Sequence, residues 1–146
     1  IRITKNDCPV GTEEAIAGDV QFGKNGKPYN GLAILKNSTK LYPRSAIALN
    51  ADNTKLWFIA IDGRQPGYSE GVTLAELADI LVRDLGVDRA LNFDGGGSTT
   101  LATSDSAGQP VLLHAPFQAR VPMNWRPVAN HLGLYAQPLY QASNEP

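Results

Sequence analysis

The sequence is poor in the residues that build disulfides and metal sites. Among 146 residues there is one cysteine, Cys8, and there are two histidines, His114 and His131. A lone cysteine excludes an intrachain disulfide and any Cys-rich zinc site. Neither histidine stands at metal-ligand spacing from Cys8 or from the other. Charge is scarce as well: thirteen Lys and Arg stand against fourteen Asp and Glu, for a net charge of −1. That balance argues against a broad nucleic-acid surface. No apolar run approaches the roughly 20 residues that span a bilayer. A Gly-x-Ser-x-Gly elbow and a Walker phosphate loop are both missing, which removes two common hydrolase designs. The chain opens at Ile1 without Met or a signal-peptide pattern, as a trimmed piece of something longer would.

What is present suits one folded domain. Hydrophobic residues make up 42% of the chain, and at this length about 68% of the unfolded surface can be buried. Fourteen Gly and ten Pro are scattered as punctuation between short elements. Residues 1–14 read as an irregular lead-in, 15–137 as the domain and 138–146 as a tail. Strands are expected at Ala15–Phe22, with an Asn-Gly hairpin turn at Lys24–Lys27 and a returning strand at Leu32–Leu35. Ser45–Asn50 and Lys55–Ile61 form a second strand pair around a polar turn. The clearest helix runs over about 74–85. Thr73 and Glu76 form its capping box, Leu74, Leu77, Ala78, Leu81 and Leu85 its apolar stripe, and Gly86 its stop. Ala90–Phe93, Thr99–Thr103, Pro110–His114 and Val128–Tyr135 read as further strands. The fold class expected is α/β or α+β, a mixed strand-rich sheet with one main amphipathic helix and Gly-rich site loops.

Three segments concentrate polar chemistry. Asp94-Gly95-Gly96-Gly97-Ser98-Thr99-Thr100 orders three successive glycines, which costs backbone entropy. It reads either as a loop whose bare N–H groups approach an anion or as a tight bend with Asp94 capping it. Asp62-Gly63-Arg64-Gln65-Pro66-Gly67-Tyr68-Ser69-Glu70-Gly71 lies between a strand and the helix, where binding groups gather. A solvated polar turn is the alternative there. Trp125-Arg126-Pro127-Val128-Ala129-Asn130-His131 offers a guanidinium for a phosphate or carboxylate and an amide for a hydroxyl. Arg44, after Pro43, is a similar isolated arginine.

Taken together, these segments resemble the phosphodiester glycosidase family, the relatives of N-acetylglucosamine-1-phosphodiester α-N-acetylglucosaminidase. The resemblance rests on Pro43-Arg44-Ser45-Ala46, Asp62-Gly63-Arg64-Gln65-Pro66-Gly67-Tyr68-Ser69 and the helix start Thr73-Leu74-Ala75-Glu76. It continues through Leu91-Asn92-Phe93-Asp94-Gly95-Gly96-Gly97-Ser98-Thr99-Thr100 and Arg126-Pro127-Val128-Ala129-Asn130. It implies hydrolysis of a sugar-1-phosphodiester, small or glycan-borne, with release of the sugar. On that reading Asp94 is the first candidate for nucleophile or base, with Asp62 or Glu70 second. Arg64, Arg126 and the Gly95, Gly96, Gly97 and Ser98 backbone would hold the phosphate, with the Thr99 hydroxyl beside them. Tyr68, Ser69 and Asn130 would orient sugar hydroxyls, and Arg44 would contact substrate or brace one of the acids. No cofactor is required, although Asp62, Asp94 and backbone carbonyls could hold Ca²⁺ or Mg²⁺. Upstream, Ala17 stands where the family usually has asparagine, and the family's earlier strands have little counterpart. A companion chain or a further N-terminal segment is therefore expected, and the family suggests an exported or envelope-associated setting. A non-catalytic carbohydrate- or phosphosugar-binding module, or an envelope-associated structural module, on the same scaffold stays open as the alternative.

Overall fold

A computed structural model of the chain describes residues 1–4, 8–28 and 37–136. Its centre is a five-stranded sheet built from β1 (Val20–Lys24), β2 (Lys27–Pro28), β3 (Arg44–Leu49), β4 (Leu56–Ile61) and β5 (Arg89–Asn92). The strand order is β2-β1-β5-β3-β4, and every neighbouring pair is antiparallel. The helix α1 (Leu74–Arg83) connects β4 to β5. Those two strands run in the same direction, but β3 lies between them and pairs with both. The sheet is therefore antiparallel rather than mixed, and the class is α+β. A single crossover that skips one strand produces no parallel ladder.

Local chemistry explains most of the elements. Thr73 and Glu76 close the capping box: Glu76 N–H donates to Thr73 Oγ1 at 3.1 Å and Thr73 N–H to Glu76 Oε2 at 2.8 Å. At the other end the Val87 amide reaches back to the Leu81 carbonyl at 3.0 Å, and the helix stops at Arg83, short of Leu85, which is exposed. Asn25 and Gly26, with φ of 54° and 63°, make the primed turn that a two-residue hairpin favours. The pairing partner, however, is Lys27–Pro28; the strand expected at Leu32–Leu35 lies outside the described residues, as does the tail from 137.

Two apolar layers sit on the sheet. On one face Leu74, Leu77, Ala78 and Leu81 of α1 pack with Ala46, Ala48, Val87 and Ala90, flanked by Trp57, Ile59 and Ile61. The central strands present alanines to the helix, so it can approach closely and bury its leucines, each worth about 1.5–3 kcal/mol. The opposite face carries Ile47 and Leu49, with Leu56, Phe58, Leu91 and Phe93 partly buried around Ile3.

Beyond β5 the chain makes one 3₁₀ turn at Gly96–Ser98 and two small hairpins, β6 (Ala102–Ser104) with β7 (Pro110–Leu112) and β8 (Phe117–Gln118) with β9 (Val121–Pro122). The strand expected over Thr99–Thr103 thus begins only at Ala102. Val128–Tyr135 is not a strand: its residues lie in irregular chain and nearly all are exposed, so its apolar side chains have no sheet to face. Ala15–Phe22 is likewise extended only from Val20 onward. The β8–β9 hairpin was not expected. Its turn is Ala119-Arg120, both at positive φ (54° and 63°), and neither residue type advertises such a turn.

Candidate functional site

Strand register gathers the loops. Arg44 at the start of β3 pairs with Ile61 at the end of β4, and Ala46 pairs with Asn92 at the end of β5. Asp62 and Asp94 therefore leave the same edge of the sheet. With β3 between them, their backbones lie about two strand spacings, or roughly 10 Å, apart. The segment before β3 anchors both loops. Tyr42 and Val72 exchange backbone hydrogen bonds of 3.3 and 3.2 Å, while Gly96 N–H donates to the Pro43 carbonyl at 2.9 Å.

Asp94, Ser98 and Arg126 form a closed clasp. Ser98 Oγ donates to Asp94 Oδ2 at 2.6 Å, Arg126 donates to the same oxygen at 2.8 Å, and its Nε donates to Ser98 Oγ at 2.7 Å. Asp94 Oδ1 has no partner among the described residues, and the carboxylate is 71% exposed. The amides of Ser98 and Thr99 are engaged inside the 3₁₀ turn, with Gly95 and Gly96 carbonyls at 3.2 Å. The Gln118 side chain fills the space that a Cβ on Gly97 would occupy, which ties the β8–β9 hairpin to this loop. Thr99 is buried, with its hydroxyl unpartnered among the described residues.

Arg64 reaches the same loop from the other side. Its guanidinium carbon lies 4.1 Å from the centre of the Tyr42 ring, and its nitrogens would come within 3.2 and 3.3 Å of a Cβ on Gly96. By near hydrogen-bonding contact and by charge, Arg64 pulls the Tyr42 phenol below its ordinary 10.0. Arg64 itself holds φ at 59°, a region that side chains other than Gly and Asn rarely adopt.

Asp62 belongs to a second cluster. Its Oδ1 meets His114 Nδ1 at 2.8 Å, and both oxygens accept from the Ala115 amide at 3.1 and 3.2 Å. Tyr68 donates its hydroxyl to Asp62 Oδ2 at 3.0 Å, a bond that, with the charge of Asp62, raises the phenol above 10.0. Ser69 Oγ donates to the Asp62 carbonyl at 2.7 Å and so braces the loop from within. Gln65 extends the brace, donating to the Ala115 carbonyl at 2.9 Å. Glu70 is exposed; its carbonyl accepts from Arg64 N–H at 3.3 Å.

Arg44 has a different setting. It is buried at 6% exposure and donates to the carbonyls of Val72, Asn37 and Lys40 at 3.1, 2.9 and 2.9 Å. Asn130 and His131 are exposed, without a hydrogen-bond partner among the described residues. Nor do the described residues place three or more His, Cys, Asp or Glu side chains where they could hold a metal ion. Sequence reasoning missed His114, Tyr42 and Gln118 as members of this edge. His114 meets Asp62 across 52 residues, a distance no spacing rule covers. Tyr42 precedes Pro43 and carried no signal of its own.

Residues 2–135 match the family model described as NAGPA, phosphodiester glycosidase. The chain belongs to the phosphodiester glycosidase family. No curated protein matches it. Among solved structures, a hypothetical protein from Synechocystis is 29% identical, with a TM-score of 0.48 over 62% of this chain. This chain spans 16% of that protein's length. The phosphodiester glycosidase match runs through both clusters described above, from the Tyr42–Arg44 segment to Arg126. No helix among the described residues is long and apolar enough to cross a membrane.

Proposed function

We propose that this chain carries the active site of a glycosidase that hydrolyses a sugar-1-phosphodiester and releases the sugar from its phosphate-linked aglycone. The observation that carries the reading is the convergence of two arginines and one acid on a single loop. Arg126 clasps Asp94 and Ser98 while Arg64 lies over Gly96. Two guanidiniums flanking one short turn suit a phosphate, whose oxygens they can meet with paired donors. A departing phosphate monoester has a second pKa near 6, so the bond to the anomeric carbon can break without a strong general acid. What the reaction needs is stabilisation of the leaving anion and of the oxocarbenium-like sugar. Asp94 suits the second task, because its clasp fixes one oxygen and leaves Oδ1 free to face an anomeric carbon or an attacking water. Tyr68, Ser69 and Asn130 complete the proposal as groups that orient sugar hydroxyls.

The test follows sugar release from the 1-phosphate methyl esters of glucose and N-acetylglucosamine. Wild type is compared with Asp94→Asn, Arg64→Ala and Arg126→Ala, each checked for folding by its melting curve. Asp94→Asn is expected to lower kcat by about 10²–10³, and each arginine variant to lower kcat/KM by at least about tenfold, or 1.4 kcal/mol. Near-normal turnover in both Asp94→Asn and Arg64→Ala overturns the assignment. A wild-type protein that releases no sugar overturns the reading itself.

A further inference from the structure

The Asp62–His114 pair holds a group that the scheme above does not use. His114 is 5% exposed at its side chain and Asp62 15%. An ionised carboxylate can only accept hydrogen bonds, so the His114 nitrogen that meets Asp62 at 2.8 Å carries the proton. In neutral imidazole that leaves Nε2 as a bare acceptor. Nε2 is buried and has no hydrogen-bond partner among the described residues. A buried polar atom without a partner is unfavourable, so Nε2 calls for a group that donates to it.

We propose that His114 Nε2 accepts a hydrogen bond from a ligand hydroxyl, which makes the Asp62–His114 pair the sugar-recognising corner of the site. The proposal rests on the glycosidase reading above and gives it a direction. The ionised phosphate of a diester has no O–H, so its oxygens only accept and would meet the bare Nε2 unfavourably, whereas a sugar hydroxyl brings the missing donor. The phosphate then belongs with Arg64 and Arg126, which are donors only. Asp62 is the positioning residue in this arrangement. Each of its oxygens already accepts two hydrogen bonds, from His114 and the Ala115 amide at Oδ1 and from Tyr68 and the same amide at Oδ2. They hold the carboxylate still and fix the imidazole tautomer. If His114 served only to cross-link the 62–71 loop to residue 115, a side-chain amide could do the same. An asparagine places its N–H₂ near the position of Nδ1 and has nothing at Nε2.

That difference supplies the experiment. Ring-¹⁵N-labelled wild-type protein is titrated at about pH 8 with the 1-phosphate methyl esters of glucose and N-acetylglucosamine and, separately, with dimethyl phosphate, a diester without a sugar or an O–H. The expected result is a protonated Nδ1 and an unprotonated Nε2 at rest, with the Nε2 resonance moving for at least one sugar ester and not for dimethyl phosphate. An Nε2 that carries the proton at rest, responds to dimethyl phosphate alone or stays unmoved with both sugar esters overturns the proposal. In parallel, His114→Asn is expected to raise KM for the ester turned over by about tenfold or more while changing kcat less, and His114→Gln to fall between it and wild type. Unchanged kinetics in a folded His114→Asn protein overturns the proposal as well. The labelled wild-type arm does not depend on whether the variant folds. If Nε2 responds to an ester that wild type does not hydrolyse, the sugar corner stands and the glycosidase reading falls. If turnover proceeds with Nε2 silent, the reverse holds.

Discussion

Arg44 and Arg64 show how neighbours in space divide the work of one residue type. Arg64 is exposed, stacked on Tyr42 and turned toward the 94–98 loop. Arg44 lies beneath the same edge and donates to three carbonyls, Asn37 and Lys40 of one turn and Val72 beside the helix start. Burial lowers the Arg44 pKa from its ordinary value, yet an arginine stays charged, so the site retains a cation that the surrounding carbonyl dipoles must stabilise. Arg44→Met keeps much of the stem and removes every donor. Leaving acceptors unpaired costs about 1–3 kcal/mol apiece, and the Asn37 and Val72 carbonyls retain one backbone donor each. The expected loss is therefore about 2–4 kcal/mol, measured by urea unfolding. Arg44→Lys restores charge without the fork and is expected to recover less than half of it. If both variants unfold like wild type but bind a sugar-1-phosphodiester poorly, Arg44 serves the ligand and not the scaffold.

Elements whose signals are local were legible, and those that depend on distant partners were not. The capping box was readable because Thr73 and Glu76 are three residues apart and satisfy each other whatever surrounds them. Asn25-Gly26 announced its hairpin for the same reason. The loops Asp62–Gly71 and Asp94–Thr100 stood out by composition, but that they leave one sheet edge follows from β3 running between β4 and β5, which no local pattern encodes. Asp62 was read as a candidate acid, whereas its partner His114 was passed over, since neither has a neighbour in sequence that implies the other. Val128–Tyr135 misled because its apolar residues suggest a strand although almost none is buried. The capping box also yields a prediction with a defined pH dependence. Hydrogen bonds from the Thr73 backbone and side chain hold Glu76 below its ordinary 4.5. A carboxylate whose folded pKa lies below its unfolded one contributes stability above the unfolded value and loses it as pH falls through the folded value. Thr73→Ala is thus expected to lower the melting midpoint by about 2–4 °C at neutral pH. The difference from wild type should shrink below about pH 4. A gap that stays constant down to about pH 3 would mean that the Thr73 contribution does not run through the Glu76 carboxylate.

At the scale of the whole molecule, the two faces of the sheet are unequal. The helix side holds more fully buried side chains: Leu77 and Ala78 are 0% exposed, and Leu74, Leu81 and Val87 are each 1%, with Trp57, Ile59 and Ile61 partly buried at its margin. On the other side Leu56, Phe58, Leu91 and Phe93 are only partly buried, and among the described residues Ile3 packs with them from outside the sheet. Apolar stabilisation scales with area removed from water at about 25 cal/mol per Å², so the helix side should carry most of it. Leu77→Ala removes a side chain from a closed layer and leaves a cavity, at about 2–5 kcal/mol. Phe58→Ala deletes a larger side chain from a half-open face, where water already reaches the ring and no closed cavity forms, so about 1–2 kcal/mol is expected. In urea, with a slope of about 1–3 kcal/mol per M, the midpoint should fall by roughly 1–2 M for Leu77→Ala and by less than half as much for Phe58→Ala. Equal losses would show that the second face is as well covered as the first, and that the asymmetry does not govern how the molecule holds together.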